Sequence, residues 1–449
     1  MTELEQVPWL TLAAGDVVNI FHRVMPYRTK IGLRAQGTSA DPVVINGVTD
    51  PNCNLPELSG QNAVTALDAV QAKFFNKQHS ENLGVIFIYQ ASQDPWGYKP
   101  KHIVIQNLKI SGAHKSNTYT AQDGSSGNYS LGAAGIYAVR VEGLVVQDNV
   151  ITGNGNGVFV NSRDNDDYSS NVIIRRNRLF GNGNEGRYTE HNLYIQAVRP
   201  LYEGNYIGQL SAGAKGSSMK DRSSGTVIRY NHIVAAARAI DLVEIEGGVA
   251  AVLNDEHYNN AWVYGNLIVS DHDNPGVSST LLIHWGGDND PRYFRRGSLF
   301  FFNNTVVTSA SRAQAYYLCI FDMPSAQQTV ELRSNVIWHR GSSKMNLAYK
   351  SGKVVLLETN WLSRDWAKAW GNEASVEQRG ATILEGTDPG LGSRFAPNPN
   401  SAVIDRGHRT ATDARALAVA HQYEWEASLR PRPVRGAAAD LGAFEAAQP

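Results

Sequence analysis

Three short segments of this 449-residue chain gather side chains that can move protons and hold an anion: His191-Asn192-Leu193-Tyr194, Met219-Lys220-Asp221-Arg222 and Ala239-Ile240-Asp241-Leu242-Val243-Glu244. Arg222 offers a guanidinium that stays charged and grips a carboxylate through two parallel N–H bonds. Lys220 can act as a base, or it can help neutralise the anion while His191 or Tyr194 takes the proton. Such a set suits removal of a proton from a carbon next to a carboxylate, the first step of a β-elimination. The carboxylate resists a second negative charge until a cation neutralises it. The required chemistry needs no cofactor. Asp241, Glu244 and Glu246 are nevertheless candidate oxygen ligands for Ca2+, with pairing to Lys220, Arg222 and Arg238 as the competing reading. Arg238, Asp241 and Glu244 also stand as substrate-binding candidates, together with His284 and Trp285. Those last two, followed by Gly286-Gly287-Asp288, can extend a groove as a sugar-stacking subsite, loop packing being the other reading of Trp285.

The elements that must position these residues are short strands. An Asn recurs after a β-branched run and before another apolar residue: Asn107, Asn149, Asn177, Asn205, Asn231, Asn266, Asn304, Asn335 and Asn360. The unequal gaps do not suit a propeller or a helical array, whose units keep nearly constant length. They suit a coiled β-solenoid, in which strands stay in register while outer loops vary. Asn tolerates the left-handed backbone of a sharp corner, and its amide can pair with the same amide one rung away. A second strand precedes each Asn and alternates. Ile136, Val158, Leu193, Met219 and Ile240 face the core, while Tyr137, Phe159, Tyr194, Lys220 and Asp241 face out. Tyr194 and Lys220 each lie 11 residues before their Asn. They are therefore expected side by side on adjacent rungs, about 4.8 Å apart.

The reading is an all-β, single-domain parallel β-helix over residues 1–449. Residues 1–56 supply N-terminal strands and a cap, with the first strands between Pro26 and Gly47. Residues 57–82 form an insertion with a short helix around Ala63 to Phe74, 83–365 the main coils, and 366–449 a C-terminal coil and closing segment. Long loops are expected at His114–Tyr129 and Asp271–Ser279. The 41 Gly against 5 Met favour turns over helices. A formal net charge of −1 gives no ground for a nucleic-acid partner. Two distant cysteines, Cys53 and Cys319, fit neither a disulfide framework nor a zinc site. No apolar run reaches the roughly 20 residues of a membrane span. No signal peptide is visible at Met1-Thr2-Glu3-Leu4-Glu5, which leaves the compartment open.

The Asn-cornered coils end in Asp388-Pro389-Gly390, Pro399–Gly407 and Asp440-Leu441-Gly442-Ala443-Phe444-Glu445. With that ending, the chain from about 17 to 449 resembles the pectin-lyase-like superfamily of right-handed parallel β-helices. The run through His191, Lys220, Arg222, Ile240-Asp241-Leu242, Gly247-Gly248 and Asn303-Asn304-Thr305 looks like a bacterial subfamily of it. The resemblance implies a secreted or periplasmic protein that acts on an acidic polysaccharide, with a final coil covering the open edge. Polygalacturonase-like hydrolases carry an Asn-Thr-Asp, a paired Asp and a Gly-His-Gly, of which only Asp166-Asp167 is present here. The Trp-Ile-Asp-His of pectate lyases and the Asp-Pro-His-Glu of mannuronan epimerases are missing. Arg430-Pro431-Arg432-Pro433 is similar to a pectate-lyase pattern but sits in the closing segment, where it reads as structural. Chondroitinase B and related alginate lyases use a Lys and an Arg on such a face. Their local motifs do not match this chain, and the residues themselves give the expectation of a polysaccharide lyase with Lys220, Arg222, His191 and Tyr194 as its catalytic residues. The alternatives are a glycoside hydrolase built on Asp241 and Glu244, and a carbohydrate-binding or tailspike-like protein. A monomer is expected, because the long apolar seams of a trimeric tailspike are lacking.

Overall fold

The computed structural model describes residues 3–65, 80–91, 94–163, 167–270, 281–311, 317–371, 373–408 and 418–447. Among them, three long sheets of twelve, fourteen and eleven strands wind around one apolar core, each strand pairing with its counterpart one coil on. Nearly all the pairing is parallel. Short β-branched runs punctuated by turn residues supply the strands, and each coil buries its inward side chains on those of the coils before and after it. Thus Ile136, Val158, Leu193, Met219 and Ile240 are in register and fully buried.

The outward positions of the fourteen-stranded sheet form a column along the helix axis: Phe87, Tyr137, Phe159, Tyr194, Lys220, Asp241, His284, Asp322, Tyr349 and Trp370. The expected pairing of Tyr194 with Lys220 is observed. Tyr137, Phe159 and Tyr194 stack face to face at centroid distances of 4.5 and 4.7 Å. Only ring edges of this ladder turn outward.

Asparagines run down the inside of one corner. From Asn177 to Asn360, each side-chain oxygen accepts both the backbone N–H and the amide of the Asn one coil earlier. Two details differ from expectation. The left-handed backbone falls on the residue before the Asn, such as Asp148, Arg176, Gly204, Tyr230, Gly265, Asn303 and Ser334. The ladder Asn is therefore selected for its amide rather than for its backbone freedom. Asn107 is one place out of step: it has a φ of 58° itself, and Leu108 stands in the ladder position, donating its N–H to Asn149.

The ends correct the sequence reading further. Strands begin earlier than Pro26, at Val17–Phe21. Ala63–Thr65 is a strand rather than the start of a helix, and the rest of that insertion up to residue 79 lies outside the described residues. The expected loop at His114–Tyr129 contains an antiparallel hairpin, Thr118–Thr120 with Ser126–Asn128. The loop expected at Asp271–Ser279 is outside the described residues. The last coil ends at Thr382–Gly386. Beyond it the described residues do not add another coil but run back along the outside. Arg178 pairs with Glu426, the Tyr230 hydroxyl accepts from Ala420 N–H, and Ala443 N–H donates to Thr305. Its residues Val419, Tyr423, Leu429, Leu441 and Phe444 cover outward-facing Tyr230, Leu267, Phe300, Val336 and Trp361. These rungs would otherwise expose a large apolar patch.

Under the hairpin, Lys30 is completely buried, with its nitrogen 3.8 Å from the Tyr119 ring centroid. Burial pushes its pKa down from 10.5 to about 7, against the pull of Glu81. The folded chain therefore binds fewer protons than the unfolded chain between those values, and stability should rise as pH increases from about 7 towards 10.5. Urea midpoints measured across that window should show this slope in the native protein and a flatter one in Lys30→Met.

Candidate functional site

The centre of the outward column is a web of ion pairs. The strand Met219–Asp221 sends Lys220 outward, where its Nζ lies 2.9 Å from Asp241 Oδ2 and 2.6 Å from Asp288 Oδ2. Arg222 follows at the end of that strand and is only 3% exposed. Its Nη2 donates to both oxygens of Asp288, at 3.0 and 3.3 Å, and its Nη1 donates to the Glu244 carbonyl at 2.7 Å. Burial works against the charge on Arg222, but Tyr194, Asp288, Glu244 and Glu246 outweigh it and raise its pKa. Asp288 thus lies across both cations. Burial opposes its charge too, yet Lys220 and Arg222 hold its carboxyl below the usual range.

The loop that delivers Asp288 is held from below. Glu244 is 1% exposed, and its two oxygens accept the backbone N–H groups of Asp288, Asn289 and Asp290 at 2.8–2.9 Å. The backbone enters this loop through Gly286, at φ 114°, where a Cβ would collide with Gln328, and through Gly287, where it would collide with Phe294. The positive φ at Gly286 favours glycine there, and at Gly287 a side chain would have to displace the Phe294 ring.

On the next rung, Asp241 is nearly buried between Lys220, His284 and Arg238. Burial alone would raise its pKa, but those three neighbours hold it well below the carboxylate range. Arg238 reaches on to Asp322 at 2.9 Å and contacts His284 Nδ1. Beneath the sheet, Asp221 points inward and is bonded by Tyr202, Thr226 and the fully buried Arg295. That network fixes the strand between Lys220 and Arg222 from inside.

On the preceding rung, the Tyr194 hydroxyl donates to Glu246 at 2.7 Å and accepts from Gln196 at 3.1 Å. Burial, outweighing Arg222, raises its pKa and keeps it a phenol. His191 is 2% exposed, and its ring is 5.9 Å from that of Tyr194. Burial first, and Lys220 second, push its pKa down to about 4, so it is neutral at pH 7. Its Nδ1 lies 2.9 Å from Ser217 N and 3.1 Å from Ser217 O. We assign Nδ1 as the acceptor, because Ser217 N–H would otherwise lose its partner in a buried setting. The ring proton then sits on Nε2, which has no hydrogen-bond partner among the described residues.

The structure therefore brings Lys220, Arg222, Asp241, Arg238 and His284 into one cluster, with Tyr194 and His191 one rung away. It separates the three candidate Ca2+ ligands. Asp241 is held by cations, Glu244 by the loop backbone and Glu246 by Tyr194, and no group of three or more metal-competent side chains occurs among the described residues. Glu244 is likewise unsuited to hydrolysis, being enclosed. Trp285 is fully buried, with its indole nitrogen 3.4 Å from the Gly297 carbonyl, so no ring face is open to a sugar. Its register with Leu242, an inward residue, carries that signal. The sequence reading placed Asp288 at the end of a groove and did not link it to Lys220 and Arg222. Beside Arg222 opens a cleft of about 440 Å3, lined by Glu244, Ile245, Glu246, Gly247, Asn289, Asp290, Arg292 and Tyr293.

No family model matches the sequence, and no curated protein matches it. Among solved structures the chain is similar to a pectate lyase, Pel9A, at 11% identity and TM-score 0.47, covering 97% of this chain and 89% of that one. It is also similar to the GH136 lacto-N-biosidase of Eubacterium ramulus, at 11% identity and TM-score 0.42, covering 84% of this chain and 63% of that one. A third similarity is to the gp42 tailspike of an Acinetobacter phage, at 8% identity and TM-score 0.26, covering 91% and 62%. No helix among the described residues is long and apolar enough to cross a membrane. With three sheets of parallel strands wound coil upon coil and an asparagine ladder at one corner, the chain is a right-handed parallel β-helix.

Proposed function

We propose that the protein cleaves a uronic-acid polysaccharide by β-elimination, the polymer lying along the outer face of the fourteen-stranded sheet. The observation that carries this reading is Asp288, whose single carboxylate bridges Lys220 and Arg222. The two cations are spaced to take one carboxylate between them, and Asp288 holds the place that a substrate carboxylate would take. Its loop is exposed and enters through two glycines, while Glu244 grips only the loop backbone, so the side chain can yield to the substrate.

With its carboxylate neutralised, the sugar loses the proton from the adjacent carbon. Two of the three donors of Lys220 are engaged by carboxylates, which suits it to binding. Tyr194 takes the proton as its own passes to Glu246. The electron pair forms the new C=C bond and the glycosidic C–O bond breaks. His191 Nε2–H remains to hydrogen-bond the departing oxygen, which takes its proton from water, and the hydroxide so formed takes up the proton held by Glu246. Hydrolysis is the less favoured reading. Asp241 and Asp288 do flank Lys220, but their cationic neighbours hold both carboxyls below the usual range, and neither is a ready acid.

The test is incubation with a panel of uronate polysaccharides while following ultraviolet absorbance and reducing ends together. Absorbing, unsaturated ends should accumulate in step with reducing ends. Reducing ends without absorbance would replace elimination by hydrolysis, and binding without either would leave a carbohydrate-binding protein.

A further inference from the structure

The central cations are all tied to carboxylates, so the open positive charge of this face lies elsewhere. On the last two coils, the turn from Val336–His339 into Lys344–Lys350 and the turn from Thr359–Ser363 into Ala367–Trp370 enclose a cleft of about 750 Å3. Arg340, Lys344 and Arg364 line it and are exposed. None of the three makes an ion pair among the described residues. The one lining carboxylate, Asp365, is exposed and makes none either.

The cleft is built rather than a chance gathering of surface charge. The Arg340 guanidinium lies 5.2 Å from the Trp338 ring, and the indole nitrogen of Trp338 is fixed on the Thr387 carbonyl at 3.0 Å. Trp366, also in the lining, has its indole nitrogen on Glu385 at 2.8 Å. Two anchored indoles thus flank cations that are open to a ligand, a combination that suits a saccharide carrying anionic groups.

The cleft lies at the edge of the same sheet, to one side of the outward column. Register runs from Lys220 through Asp241, His284 and Asp322 to Tyr349, on the strand that Lys344 begins. Four rungs along the axis, about 19 Å, and the five residues from Tyr349 back to Lys344, about 17 Å, put the two places about 25 Å apart, a span that takes an oligosaccharide of several residues to bridge.

We infer that this corner cleft is an anion-recognition subsite, in which Arg340, Lys344 and Arg364 grip the carboxylate or sulfate groups of a saccharide chain extending from the central cluster. The link to the central cluster rests on the function proposed above; the binding itself does not. The test is calorimetric titration of Lys220→Ala, which leaves the polymer uncut, with three six-residue oligosaccharides: a galacturonate, a sulfated glucan and a neutral glucan. The protein should bind at least one acidic probe with an affinity that falls as salt is raised, and the neutral probe at least tenfold more weakly. Adding Arg340→Ala and Arg364→Ala should weaken that binding at least tenfold and flatten its salt dependence, while the thermal midpoint stays put. Which acidic probe binds names the anion. Unchanged affinity in the triple variant, or equal binding of the neutral probe, would overturn the subsite. Loss of binding in the triple variant would uphold it even if the wild-type protein cleaved nothing, and retained binding would end it even if the wild-type protein cleaved by elimination.

Discussion

Lys220→Ala is expected to lower kcat/KM for a uronate polymer by about a thousandfold, in the range found when one charged group is removed from a transition state. Elimination builds a second negative charge beside the substrate carboxylate, and Lys220 is the cation that shares that carboxylate with Arg222. The fold should survive. Lys220 lies outside the core on an outward position, and Asp241 keeps His284 and Arg238 as partners. A thermal midpoint close to that of the native protein would confirm that activity, not structure, is lost. Arg222→Ala is a poorer probe, because Arg222 is nearly buried and its removal strands the Glu244 carbonyl and Asp288. Asp288→Asn supplies the complementary result. If Asp288 holds the place of the substrate carboxylate, neutralising it should lower KM without lowering kcat. Near-native activity in Lys220→Ala would show that the chemistry takes place on another rung.

The largest stability effect should come from the asparagine ladder. Asn231→Ala removes an oxygen that accepts both the backbone N–H and the amide of Asn205, and an amide that donates to Tyr202 O, Arg229 O and Asn266. All of this is buried. Several polar groups lose partners at once, at about 1–3 kcal/mol for each buried group left unsatisfied, so a loss of roughly 3–5 kcal/mol is expected in urea unfolding. Asn149→Ala should cost less. Its oxygen serves only one donor, the N–H of Leu108, because the ladder ends there. Equal losses at the two positions would show that the ladder is merely a set of independent turns.

Much of this architecture was legible because two periodicities coincide in the sequence. Alternation assigned Met219 and Lys220 to opposite faces, and the Asn spacing set Tyr194 beside Lys220, as observed. The same alternation marks Trp285 as inward, because Asp241 and His284 share the outward column and the next residue must point in. Treating Trp285 as an exposed aromatic gave weight to residue type over register. The backbone role of Asn misled for a related reason. Its side chain both tolerates a left-handed conformation and forms ladders, and only the structure shows that the preceding residue takes the strained φ. Asp288 was harder to see. It meets Arg222 across 66 residues of sequence, and the Glu244 contacts that aim its loop are with backbone N–H groups, which leave no trace in residue type.

The returning C-terminal segment has a mechanical consequence. In a solenoid whose coils touch only their neighbours, opening proceeds from either end, one coil at a time. Here a single stretch of chain is lashed across successive coils, from Arg178 through Tyr230 and Thr305 to Ser334. A middle coil cannot leave without first releasing the lashing, so these coils are joined into one cooperative block. The coils of Lys220, Asp241 and His284 lie inside that block, which makes the candidate site the part of the molecule that peels last.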